Sequence, residues 1–143
     1  MRRAFAALLG IATCGVAQAE TVLIDTERLP AREVYDVALL TPLALTPNGT
    51  PAVVLLSLDA GDVVPPHTAS GGLRLLTVLS GEMSWGDGAA IAEEQEVVHG
   101  PGSILALPAD ASHWLAARSG PVRLQLILLD DEIPTPDLQE QLQ

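Results

Sequence analysis

Hydrophobic residues along the chain are grouped in short runs that turn-forming residues separate. The runs are rich in Val, Leu and Ile, and Gly, Pro, Asn and Asp lie between them. No long stretch has the apolar period of an amphipathic helix. Runs of this kind predict β-strands, here over 21–25, 33–40, 52–59, 73–79, 82–85, 103–107, 112–116 and 122–129. Several short strands at this spacing predict an all-β domain, either an antiparallel sandwich or a barrel.

Some of these runs are apolar on both faces, notably 53–56 and 124–129. A strand that is apolar on both faces is buried on both faces. We therefore expect a closed barrel whose outer surface packs against flanking strands or against a second subunit, which favours a homodimer.

The first 19 residues have the features of a secretory signal peptide. A cationic start at Arg2 and Arg3 precedes an apolar run and the small residues around Ala19, which are typical of a cleavage site. The run is shorter than the roughly 20 residues of a membrane span, so we expect no membrane span and a mature chain that begins at Glu20, periplasmic or secreted. The alternative is a lipoprotein anchored through Cys14, the only cysteine.

The charge of the chain excludes some partners. It has 18 Asp and Glu against 7 Arg, with no Lys, and a formal net charge of -11 at pH 7. Nucleic acid is not expected as a partner, because a phosphate backbone is bound by clustered cations. Without Lys, neither a P-loop nor a Schiff base is available. Residues 130–143 carry several of the acids and are predicted to be a peripheral tail beyond a single domain over 20–129.

Two glycine-bounded segments carry the candidate chemistry. The first has the pattern G-x5-H-x-A-x4-R-x6-G between Gly61 and Gly81, and the second has G-x5-P-x-D-x2-H-x3-A between Gly102 and Ala117. They resemble the two motifs of the cupin superfamily, G-x5-H-x-H-x3,4-E-x6-G and G-x5-P-x-G-x2-H-x3-N. The chain looks most like the small exported single-domain cupins of bacteria. The resemblance implies a cupin-type jelly-roll barrel (a double-stranded β-helix), often dimeric, with one central pocket.

The chain departs from the family at the metal-binding positions. Cupins that bind a metal use three His and one Glu, and these positions are here His67, Ala69, Arg74 and His113. Two imidazoles hold a divalent metal weakly. A guanidinium in the Glu position would repel a dication by about 4 kcal/mol per unit charge at about 4 Å and an effective dielectric near 20. We therefore expect a degenerate motif, with no metal and no other cofactor.

The same residues suggest a different ligand. The forked donors of Arg74 suit a carboxylate or phosphate, so His67, Arg74 and His113 are the candidate ligand-binding residues. Each also has a purely structural alternative: either histidine could be a packed core residue, and Arg74 could pair with Glu82 or Asp110. His99 and the acidic run 93–96 are predicted to be solvated loop residues.

Three functions remain open at this stage, and enzymatic activity is undecided. The first is an exported cupin that binds a small anionic or hydroxylated ligand without a family-type metal. The second is an oxygenase or isomerase with a rearranged site, in which His67, His113 and His99 would hold Zn, Fe, Ni, Mn or Cu. The third is a non-catalytic partner protein that acts in assembly. A cupin barrel hosts many unrelated activities, so the fold cannot choose among them.

Overall fold

A computed structural model describes residues 20–129 and places ten β-strands in this part of the chain. They are β1 (Arg32–Val34), β2 (Ala38–Leu45), β3 (Pro51–Leu58), β4 (Val63–His67), β5 (Arg74–Ser80), β6 (Met83–Asp87), β7 (Val97–His99), β8 (Ile104–Leu107), β9 (His113–Ala116) and β10 (Val122–Leu128). The helical segments of the described residues are two 3-10 turns of three residues each, Thr26–Arg28 and Glu93–Gln95. The prediction of an all-β fold is confirmed.

The strands form two antiparallel sheets. The larger has the order β1-β2-β3-β10-β5-β8, and the smaller has the order β4-β9-β6-β7. Strands distant along the chain are neighbours, as where β10 lies between β3 and β5. The chain thus alternates between two facing sheets, which is the arrangement of a jelly-roll barrel.

The hydrophobic core lies between the two sheets. Leu58, Leu76 and Leu124 from the larger sheet pack with Val64 and Leu115 from the smaller sheet, and all five are almost completely buried. Each such side chain contributes about 1.5–3 kcal/mol when it leaves water.

The structure differs from the sequence prediction near the N-terminus. Residues 21–25 form no strand and lead into the turn Thr26–Arg28, with exposed side chains at Val22 and Leu23. These apolar side chains cover no sheet in the described residues. The apolar composition of 21–25 alone therefore predicted a strand that does not form. The predicted strand 33–40 is in fact two strands, because a tight turn after Val34 reverses the chain.

Two strands of the smaller sheet were missed. β4 contains Pro65 and Pro66, which argue against a strand, but it lies at the sheet edge and its register breaks between Val64 and His67, where proline is tolerated. β7 has three residues and exposed valines, which is too short for a periodic signal. His99 belongs to β7 and pairs with Met83, so its prediction as a loop residue was wrong.

The acidic run 93–96 is more than a solvated loop. Glu96 accepts hydrogen bonds from Trp114 Nε1 at 3.0 Å and from Arg118 at 2.7 and 3.1 Å. These bonds, the one from Arg118 foremost, lower the pKa of Glu96. Trp114 is fully buried against Gly86 on the outer face of the smaller sheet. The loop before β7 therefore covers this face.

The predicted signal peptide 1–19, with Cys14, and the predicted tail 130–143 lie outside the described residues. Among residues 20–129, no helix has the length and apolar character needed to cross a membrane.

The packing of Trp114 makes Gly86 a sensitive position. A Cβ at Gly86 would overlap the indole ring of Trp114, whereas a Cβ at Gly100 meets no atom within 4 Å. We expect Gly86→Ala to lower the free energy of unfolding by about 1–3 kcal/mol, because the ring is enclosed and has little room to move. Urea denaturation measures this change, with Gly100→Ala as the matched control. Equal stabilities of the two variants would contradict the packing described here.

Candidate functional site

A cavity of about 570 Å³ lies between the two sheets and is lined by residues of both. This volume lies in the ordinary range of small-molecule sites. Its polar lining residues are partly or fully exposed and mark the mouth of the cavity, except for His113, which is buried. The buried apolar lining residues are Val54, Leu56, Val64, Leu76, Leu107 and Leu115, and the polar lining residues are Arg32, Tyr35, Thr50, His67, Thr68, Ser70, Arg74 and His113.

Two histidines meet in the cavity because β4 pairs with β9. The register places His67 directly opposite His113, and their rings lie edge to face with centroids 4.5 Å apart. Each Nδ1 lies near a backbone carbonyl two residues earlier, at 2.9 Å for His67 and 3.1 Å for His113. Since a carbonyl only accepts, each Nδ1 donates, and in the neutral imidazole Nε2 then has a lone pair for another partner.

The histidines belong to a column of four aromatic rings. Tyr35 lies 4.5 Å from His67, and Trp85 stacks on His113 at 4.6 Å. Trp85 is itself oriented by its Nε1, which donates to Asp87 at 3.0 Å. The imidazoles are therefore held in place from both sides.

The environment of His113 favours its neutral form. Its side chain is 4% exposed, and this burial, helped by His67 and Arg74, lowers its pKa. The carbonyl of Ala111 and the carboxylate of Asp87 oppose the shift. His113 is thus an uncharged hydrogen-bonding group at neutral pH.

Arg74 begins β5 at the mouth of the cavity. Its guanidinium donates to the Ser70 carbonyl at 3.0 Å and lines the cavity. The alternative partners considered from the sequence were Glu82 and Asp110. Within residues 20–129 the salt bridges are those of Arg118, so neither acid pairs with Arg74. The positive charge of Arg74 can therefore act on a ligand in the cavity.

Arg32 is a second cavity cation, and the sequence reasoning did not find it. It lies on β1 opposite Leu40, and both residues line the cavity. Arg32 belongs to no motif, and β1 was predicted to start after it. Arg32 and Val34 are two residues apart, so their side chains point to the same face of β1. This alternation is the one sequence signal that could have suggested that Arg32 points toward the cavity.

Tyr35 was also missed, and its backbone is unusual. Val37 N–H donates to the Val34 carbonyl across a turn whose central residues, Tyr35 and Asp36, have φ of 55° and 61°. Two positive φ values define a type I′ turn, which favours Asn and Gly. A tyrosine in the first position is strained, and such strain is concentrated at functional sites. Burial raises the pKa of Tyr35, which Arg74 partly offsets.

The donor set does not fit a metal of the family type. His67 and His113 are together, but the remaining positions hold Ala69 and Arg74. His99 lies two strands away from His113, on β7, and is not a lining residue. In the described part of the chain, no three His, Cys, Asp or Glu side chains gather as a metal site.

Solved structures with the same fold include several cupins. A cupin superfamily protein from Desulfitobacterium hafniense is 26% identical, with a TM-score of 0.54 and coverage of 79% of this chain and 94% of that chain. A cupin 2 conserved barrel domain protein from Leptotrichia buccalis is 23% identical, with a TM-score of 0.54 and coverage of 69% and 44%. A predicted oxalate decarboxylase from Thermotoga maritima is 15% identical, with a TM-score of 0.59 and coverage of 76% and 100%.

These similarities confirm the cupin-type jelly-roll barrel, and the chain belongs to the cupin superfamily. The match spans 44% of the length of the Leptotrichia protein. No family model matches the chain, and no curated protein does. The resemblance stated from the two motifs is confirmed as far as superfamily and fold.

The buried, neutral His113 predicts a pH dependence of stability. Because its pKa is lowered in the folded protein, the unfolded chain binds more protons below its ordinary pKa of about 6.5. The contribution of His113 to the free energy of unfolding is therefore complete above about pH 6.5 and is lost as the pH falls through the folded pKa.

Urea denaturation of the wild type and His113→Gln between about pH 8 and pH 5 measures this contribution. The same carboxylates titrate in both proteins, so they contribute the same pH dependence to each. Because only the wild type has the His113 contribution, we expect its free energy of unfolding to fall more steeply as the pH is lowered. Parallel pH profiles would show that His113 does not titrate differently in the folded state.

Proposed function

We propose that this protein is an exported cupin that binds a small anionic or hydroxylated ligand inside its barrel, without a family-type metal. The observation that carries the proposal is the lining of the cavity. It has two guanidiniums and two imidazoles, and no Asp or Glu among its described residues. An anion placed there would meet cations and hydrogen-bond donors without a competing carboxylate.

The distribution of charge supports this reading. The chain as a whole has a formal net charge of -11, so cations are scarce. Residues 20–129 contain five arginines, and Arg32 and Arg74 both line the cavity. Two guanidiniums facing a cavity with apolar walls focus a positive potential there.

The two imidazoles extend the range of ligands. With each Nδ1 donating to a backbone carbonyl, the Nε2 atoms of His67 and His113 can accept hydrogen bonds. A ligand hydroxyl is a suitable donor to them. The same atoms favour the second candidate, an oxygenase or isomerase with a rearranged metal site, because a free Nε2 is also what a metal ion requires. That candidate needs a further ligand that His99 does not supply from β7.

A homodimer and a location outside the cytoplasm complete the proposal. Exposed apolar side chains, Val97, Val98 and Ile104, lie on β7 and β8, which are edge strands of their sheets. Exposed apolar edge strands are sites of pairing with another chain. Export, or lipid anchoring at Cys14 instead, rests on residues 1–19 alone. Assembly without a ligand is the third candidate, and it would use the same edges.

Elemental analysis of the dialysed protein tests the metal-free proposal. We expect the wild type to retain no stoichiometric Zn, Fe, Ni, Mn or Cu. The double variant Ala69→His, Arg74→Glu completes the family donor set and is expected to retain about one ion per chain, since it offers four protein ligands around the cavity.

Adding His113→Ala to the double variant is the control, because it should remove the gained ion if the ion lies in the cavity. A stoichiometric metal in the wild type that is lost in both His67→Ala and His113→Ala would overturn the proposal in favour of the rearranged metal site.

The dimer is tested by sedimentation of the purified chain at micromolar concentration. We expect a dimer for the wild type and a monomer for Ile104→Glu, because the new carboxylate would be buried without a partner. Leu45→Glu, at an exposed position on β2, is the matched control and should remain dimeric. A monomeric wild type would contradict the dimer.

A further inference from the structure

We infer that the ligand of this cavity is a small monocarboxylate with an apolar body, whose carboxylate lies at Arg74 and Arg32 and whose body extends over the leucines beneath them. The inference rests on the proposed function and specifies its ligand class. It is carried by the separation of the cavity into a cationic layer and an apolar layer.

The two layers follow from the alternation of side chains along the strands. Arg74 and Leu76 point to the same face of β5, and His113 and Leu115 point to the same face of β9. Residues two apart on a strand are about 7 Å apart. Along these two strands, Arg74 and His113 therefore belong to a polar layer, and Leu76 and Leu115 belong to an apolar layer about 7 Å away. On β5 the apolar layer is the deeper one, because Leu76 is buried and Arg74 is only partly buried.

The deeper layer offers no partner to a second polar group. Leu76 is 1% exposed and Leu115 is 3% exposed, and the buried Val64, which pairs with Leu115, lines the cavity beside them. A charge placed there would lose its hydration without a hydrogen bond in return. An apolar body of a few carbon atoms would be stabilised there instead. A dianion whose charges lie at opposite ends would place one of them against these leucines.

The mouth layer suits a planar carboxylate. Arg74 is held by Ser70, which leaves further guanidinium donors for the cavity. Arg32 supplies a second guanidinium, and carboxylates are matched by the forked geometry of this group.

The β1–β2 turn adds Tyr35 to this layer as a group that shapes the mouth. Its ring packs on His67 at 4.5 Å, and Arg74 acts on its hydroxyl electrostatically. Because a tyrosine is disfavoured at φ 55°, the fold holds it there against the preference of its backbone. A tyrosine hydroxyl at this place can donate a hydrogen bond to the carboxylate that the arginines bind.

Calorimetric titration of the purified chain with butyrate, hexanoate and octanoate tests the apolar layer. Burial of each methylene is expected to tighten the dissociation constant about fourfold until the cavity is filled. Hexanoate is expected to bind more tightly than adipate, which has the same chain with a second carboxylate, and more tightly than 1-hexanol, which has no charge.

Four variants test the mouth of the cavity with hexanoate. Arg74→Gln is expected to weaken binding at least tenfold, because a hydrogen bond to a charged group is lost. Arg32→Gln is expected to weaken it less, since Arg32 is exposed. Arg28→Gln removes the same charge from the exposed turn Thr26–Arg28, away from the cavity, and should leave binding unchanged. Tyr35→Phe keeps the ring and is expected to weaken binding by removal of the hydroxyl alone.

The outcomes separate this inference from the proposed function. In one outcome, adipate, malonate or phosphate binds as tightly as hexanoate, Arg74→Gln weakens this binding, and chain length has no effect on it. This outcome would overturn the inference of a monocarboxylate ligand but would leave the proposed anion site standing. No binding of any of these anions would overturn both. Hexanoate binding that is equal in the wild type and in Arg74→Gln would place it on another apolar surface and overturn the inference.

Discussion

The antiparallel pairing of β4 with β9 is the interaction on which the site depends. It places His67 beside His113 and turns both imidazoles into the barrel. Because side chains alternate across a sheet, a shift of β9 by one residue would bring Trp114 into the cavity and expose His113 on the outer face. Burial of Trp114 under the loop that carries Glu96 therefore fixes the register from the outside. The outer packing of the sheet and the chemistry of the cavity are determined together.

Charge decides what this cavity can hold. Two arginines line it in a chain that is otherwise strongly acidic, and the metal positions of other cupins are reduced to two histidines. A dication there would have few donors and a neighbouring guanidinium, whereas an anion would find donors on several strands. Under the proposed function, the barrel that holds a metal in some cupins binds an anionic ligand here, and the apolar layer limits how polar the rest of that ligand can be.

The strand pattern of the larger sheet was predictable because β3, β5 and β10 are long apolar runs between turn residues. The smaller sheet was less predictable. β4 contains two prolines that only its edge position permits, and β7 is too short to have a period. Of the cavity residues, His67, Arg74 and His113 could be found from the spacing of the two glycine-bounded segments, since each lies at a fixed distance from a glycine within one segment.

What the sequence determined by itself was the all-β class, the cupin resemblance and the substitution of metal ligands by Ala69 and Arg74, because these depend on residues close together along the chain. Tertiary structure alone decided that Arg32 and Tyr35 line the cavity together with Arg74 and that His99 does not line it. Arg32 and Tyr35 reach the cavity through a strained turn and the pairing of β1 with β2, and His99 is carried away by its pairing with Met83. Such placements depend on contacts between distant segments, which no local pattern of residues specifies.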